Sequence, residues 1–324
     1  MSEVNEIYEH YIFMLNVDSS ILKLNPIIHE YGFEIIEVSL DILEDRFFNL
    51  FKGSKFEGKK LSGLWVESPL IPQKFVSREF SRVFHESRHK SYSILNQNYV
   101  YLIKDSVETS KNDIRIQNFY SQFLQILRLS SDGDVKFQDC FIIDTKSRFI
   151  NSSSRYIYEL PDIRDELYNI NDDSLKLIDK WLKVEIPVFP LTDLSKKLYF
   201  QSYNQKSNVV ILVLLITALE SIFNLGRDQI SHTFSRHGAI LLSESKDKFI
   251  DDYKFLKDMY NYRSGFVHGS STIKPTKEKI KRLKKTVRNI INEVNDFIIK
   301  HNLSNDNKDK QKKDLFDYLN SKGF

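Results

Sequence analysis

Apolar positions along this chain follow two different periods, and the change falls near the segment VEIPVFPL at residues 184–191. From Phe33 to about Ile150, β-branched and aromatic runs recur in FEIIEVSL, LSGLWVES, SYSILNQNYVYLI and KFQDCFIID, separated by Gly, Ser, Asn and Asp. Such runs between turn formers predict strands. Helical stretches are expected at the beginning of the chain, in ILEDRFFNLF and in IQNFYSQFLQILRL, where apolar residues return every three or four positions. Pro187 and Pro190 stop helix propagation and central-strand pairing alike, which places a domain junction beside them.

Beyond that junction the period becomes helical. One helix is predicted from about Asn208 to Leu225, apolar almost all round and closed by Gly226, and it should be the central core helix. A shorter one follows from about Asp228 to Leu242. A third spans about Lys248 to Val267, with Phe249, Tyr253, Leu256, Tyr260 and Val267 on one face, and is ended by Gly269 and Pro275. The last, from about Thr276 to Lys300, carries Ile280, Leu283, Val287, Ile290, Val294 and Phe297 in one stripe. Residues after His301 read as a polar, mobile tail with a short helix at DLFDYL. The expected class is α+β, with a strand-rich mixed domain at 1–190, an all-α bundle at 195–300 and a tail at 301–324.

Composition narrows the setting. Hydrophobic residues at 41% and charged residues at 28% fit an ordinary globular protein. A net charge of +3 is too small to identify a nucleic-acid partner, because local clusters of Lys and Arg decide such binding. Cys140 is the only cysteine, so one chain can form neither a disulfide nor a cysteine metal cluster, and a reducing cytoplasm is expected. The start, MSEVNEIYEH, is acidic where an export signal would be basic. The longest apolar run, VVILVLLITA at 209–218, falls short of the ~20 residues that cross a bilayer, so no membrane partner is expected.

The chemistry concentrates in the third helix of the bundle. Arg263 falls between Tyr260 and Val267 on the face assigned to the core. A guanidinium there costs several kcal/mol unless it is paired or bound to an anion. Glu220, inside the otherwise apolar TALESIF, is the first candidate partner, and Arg236 is a second mate for that carboxylate. A purely structural ion-pair network explains the three charges as readily as a site does. His268 stands five residues after Arg263, ~140° away on an ideal helix. The two groups converge only if the last turn, bracketed by Gly265 and Gly269, unwinds, or if a second subunit takes part. His85 and His89 have the i, i+4 spacing of metal ligands, but no third ligand accompanies them, and neither a metal nor a cofactor is expected.

From about Val209 to Gly269 the sequence resembles the HEPN superfamily, and within it the Apea-like group. RSGFVHG, Arg263 to Gly269, fits that family's pattern of Arg, four to six residues, then His. ALESIF around Glu220, SHTFSRHGAILL around Arg236 and KFLKDMYNYRSGFVHG follow in the family's order, and the basic final helix fits as the last element of a four-helix bundle. The resemblance implies metal-independent cleavage of RNA, tRNA among the candidates, at a site formed where two subunits meet in a homodimer. It implies that Arg263 holds the scissile phosphate and that His268 moves protons at the ribose 2′-OH or the leaving oxygen. Glu220 and Arg236 would orient the site. Phage defence or growth arrest is the implied role.

Active members often carry Asn, Asp or His directly after the motif Arg, whereas this chain has Ser264. That departure sustains a rival reading, a catalytically silent module that binds RNA, nucleotide or a protein. IKPTKEKIKRLKKTVR holds eight Lys or Arg against one Glu. Lys281, Arg282, Lys284, Lys285 and Arg288 within it are the expected contacts to RNA phosphate, with a solvated helix face as the plain alternative.

Overall fold

The computed structural model describes residues 8–39, 99–105, 114–144, 150–154, 167–184, 189–224, 230–269 and 274–322. The chain divides into two compact units, 1–183 and 184–324.

The first unit is built on an antiparallel sheet of β1 (Tyr8–Leu15), β2 (Phe33–Ser39), β3 (Tyr99–Asp105), β4 (Lys136–Asp144) and β5 (Ile150–Ser154). The order is β2-β3-β1-β4-β5. The register sets Ile103 opposite Ile12 on one side and Ile35 on the other, so three apolar side chains form a row on one face. All three are buried. A short helix, α1 (Asn25–Ile28), precedes β2. Helix α2 (Ile114–Ser130) places Ile116, Phe119, Tyr120, Phe123, Leu124 and Leu127 on one side, the spacing of an amphipathic helix. Its rings stack on the sheet, Phe119 lying 3.7 Å from Phe33 and Phe123 lying 6.1 Å from Phe137. Helix α3 (Asp172–Val184) buries Ile178 and Trp181.

The beginning of the chain corrects the expectation of a helix. Tyr8, His10, Ile12 and Met14 are buried, while Glu9 and Tyr11 between them are half-exposed, which is the period of two that a strand shows. LSGLWVES and ILEDRFFNLF lie outside the described residues, as do Gly226 and Pro187.

The second unit is helical: α4 (Asp193–Ser202), α5 (Asn208–Phe223), α6 (Ile230–Leu242), α7 (Lys246–Val267), α8 (Lys277–Lys300) and α9 (Lys308–Ser321). Helix α5, with Ile211, Leu212, Leu215, Ile216, Leu219, Ile222 and Phe223 all buried, packs against α4, α6, α7 and α8. Side-chain caps start the later helices: Ser245, Thr276 and Asn307 accept the backbone N–H of Lys248, Lys279 and Lys310.

Two sequence expectations change here. On α7 the buried stripe is Asp252, Phe255, Leu256 and Met259, and Val267, expected inside, is 53% exposed. The end of the chain is not a loose tail, because α9 buries Gln311, Leu315, Phe316 and Leu319. Gln311 fixes its entry by donating to the Leu303 carbonyl and accepting from the Leu191 N–H.

Candidate functional site

Arg263 continues the buried stripe of α7. Asp252, Leu256, Met259 and Arg263 follow at i, i+4, i+7 and i+11, so the guanidinium leaves the helix toward the bundle interior. Its Nη2 donates to Glu220 Oε2 of α5 at 3.3 Å. The two side chains retain 22% and 14% of their exposure. A single contact of this length lacks the two-pronged geometry that makes Arg–carboxylate pairs strong. The Nε of Arg263 is buried with no hydrogen-bond partner among the described residues. Burial raises the pKa of Glu220, and the attraction of Arg263 offsets this only in part. The pair is therefore under-compensated, leaving donor capacity on Arg263 for an anion.

His268 occupies the C-terminal cap of α7 and is exposed. Its backbone N–H still reaches the Ser264 carbonyl at 3.0 Å. Gly269 then turns into the left-handed region at φ 68, with open space where a Cβ would stand. Because α7 stays helical through Val267, the unwound last turn that would bring Arg263 and His268 to one cleft does not form. About 140° of helix rotation still separates them within one chain. Ser264, between them, is half-buried.

Arg236 does not join Glu220. Its Nη1 donates at 3.3 Å to Asn320 of α9, an acceptor that a polar tail could not have supplied in a fixed place. Of the five cations expected to meet phosphate, Lys281 and Lys285 lie on the exposed side of α8. Arg282 is held by Asp251 at 2.5 Å and Asp252 at 3.1 Å, and lies 4.1 Å from the Phe255 ring centre. Lys284 sits 4.5 Å over Tyr203. Arg288 is buried rather than displayed, which removes it from any outer phosphate-binding face.

One contact beside the site was not read from the sequence. Lys279 in the first turn of α8 donates to Tyr262 Oη at 3.0 Å, which positions a cation next to the residue that precedes Arg263. Only the α7–α8 packing brings the two together, and no local motif announces it. Among the described residues no group of three His, Cys, Asp or Glu could hold a metal ion, and no helix is long and apolar enough to cross a membrane. His85 and His89 fall outside the described residues. No protein-family model matches the chain, and neither the curated proteins nor the solved structures yield a match.

Proposed function

We propose that the helical unit is a metal-independent endoribonuclease of HEPN type. The observation that carries this reading is a half-buried guanidinium, Arg263, whose Nε has no hydrogen-bond partner among the described residues, placed five residues before an exposed imidazole at a glycine-ended helix terminus. In the proposed reaction Arg263 binds the scissile phosphate and steadies the negative charge of the pentavalent state. An imidazole of His268 transfers a proton at the ribose 2′-OH or at the leaving oxygen. Attack of the 2′-oxygen on phosphorus breaks the bond to the 5′-oxygen, leaving a 2′,3′-cyclic phosphate and a free 5′-hydroxyl. Since one chain holds the two groups on different sides of α7, the complete site is assigned to two copies of the chain, each completing the other.

The strand-containing unit would then position or recognise the target, with tRNA among the candidate RNAs and phage defence or growth arrest as the biological setting. The silent-module reading draws on Ser264 and on the pairing of Arg263 with Glu220. Incubation with total RNA and with tRNA in EDTA separates the two. The enzyme reading expects cleavage with cyclic-phosphate ends, lowered at least ~100-fold in folded Arg263→Lys and His268→Ala proteins. Binding without cleavage supports the silent module.

A further inference from the structure

Helix α9 is seated on α6 through a histidine whose neutral tautomer is dictated by its neighbours. Asn320 Oδ1 lies 3.3 Å from Arg236 Nη1 and 3.3 Å from His237 Nε2. A guanidinium only donates, so Asn320 must turn its oxygen toward it. That same oxygen then requires His237 Nε2 to carry a hydrogen. In the neutral ring Nδ1 is consequently bare, and it is buried with no hydrogen-bond partner among the described residues. Phe316 of α9 stands edge-on to the ring at 4.5 Å, and Phe223 of α5 lies at 6.3 Å.

We propose that α9 is a strap released by acid, with protonation of His237 as the trigger. The added proton would go to Nδ1, where no acceptor waits among the described residues, and would place a second cation beside Arg236. Burial is the main force holding His237 below its ordinary value of 6.5, and the charges of Arg236 and His232 act in the same direction. The Asn320 bond opposes them, and among the described residues no carboxylate acts on the ring. From the other packed elements, α7 and α8 reach the adjacent Gly238 with Leu256 and Ile290, and α9 also ties Lys312 to the Asn224 carbonyl. A group whose docked-state pKa is depressed holds its full contribution above 6.5 and loses it as pH falls toward the docked value. Release would also strip Arg236 of its Asn320 acceptor. The strap stands independently of the nuclease reading.

Amide hydrogen exchange of the full chain tests it, with rates corrected for intrinsic pH dependence and α8 as the internal reference. Between about pH 7.5 and 5, opening of residues 308–321 should rise by up to about tenfold for each pH unit below about 6.5, until the docked-state pKa is reached, while α8 stays protected. His237→Phe, which keeps a ring against Phe316 and cannot titrate, should flatten that rise. His237→Gln serves as the second non-titrating variant if the first does not fold. Protection of 308–321 that ignores pH in the wild type, or an acid-induced loss that persists in the non-titrating variant, overturns the proposal.

Discussion

Glu220 meets Arg263 with one oxygen at 3.3 Å, and burial acts on its carboxyl more strongly than that cation does. An acid raised above its ordinary 4.5 binds protons more readily in the folded state, so its contribution to stability falls as pH rises from 4.5 through the raised value. The wild type should therefore lose stability relative to Glu220→Gln over that window, measured as the difference between urea midpoints at each pH. The pair was legible in the sequence because a charge inside an apolar period has few possible mates. The fate of the α8 cations was not. Lys284, Arg288, Ile291 and Asn295 form a second row beside the main stripe, and α4 covers it, with Tyr203 under Lys284 and Thr192 donating to Asn295 at 2.7 Å. Without α4 in view, that row read as an outer face. Arg288→Ala should accordingly destabilise the protein, on the order of 2 kcal/mol by denaturation, and leave the salt dependence of the proposed RNA binding unchanged. Lys281→Glu with Lys285→Glu should do the reverse, weakening binding and flattening its salt slope by roughly 0.7 for each phosphate that the two lysines neutralise in the wild type.

Helices α5, α6, α7 and α8 lie within about two residues of where their apolar periods placed them, although α7 buries a different stripe from the one its period suggests. The misread elements are short or depend on partners distant in the chain. β1 has a period of two that aromatic residues on both faces disguise, and α9 has one narrow apolar side, Leu315, Phe316 and Leu319, in a stretch dominated by charge. What the helical periods could not reveal is the close crossing at Gly238. A Cβ there would stand 2.8 Å from Leu256 Cδ1 of α7 and 3.3 Å from Ile290 Cδ1 of α8. Alanine gains about 1 kcal/mol of helix preference against a small shift of the Leu256 tip. Gly238→Leu has no such room and should lower stability by on the order of 3 kcal/mol in thermal or chemical denaturation.

The chain divides into two compact units, 1–183 and 184–324, of different construction. The helical unit supplies the phosphate-binding candidate and the exposed imidazole, yet its continuous α7 keeps them on separate sides. Sequence spacing alone left open whether the last turn unwinds, because the glycines at 265 and 269 permit either outcome. In the proposed site Arg263 and His268 thus act together across two copies of the chain. Mixing folded Arg263→Lys and His268→Ala proteins, each inactive alone, tests this most directly by RNA cleavage in EDTA. Recovery of up to about a quarter of wild-type activity is expected, since random pairing gives half hybrids and each hybrid holds one intact composite site. Wild-type cleavage with no recovery on mixing, under conditions where subunits exchange, would contradict it, as would cleavage that survives in either variant alone.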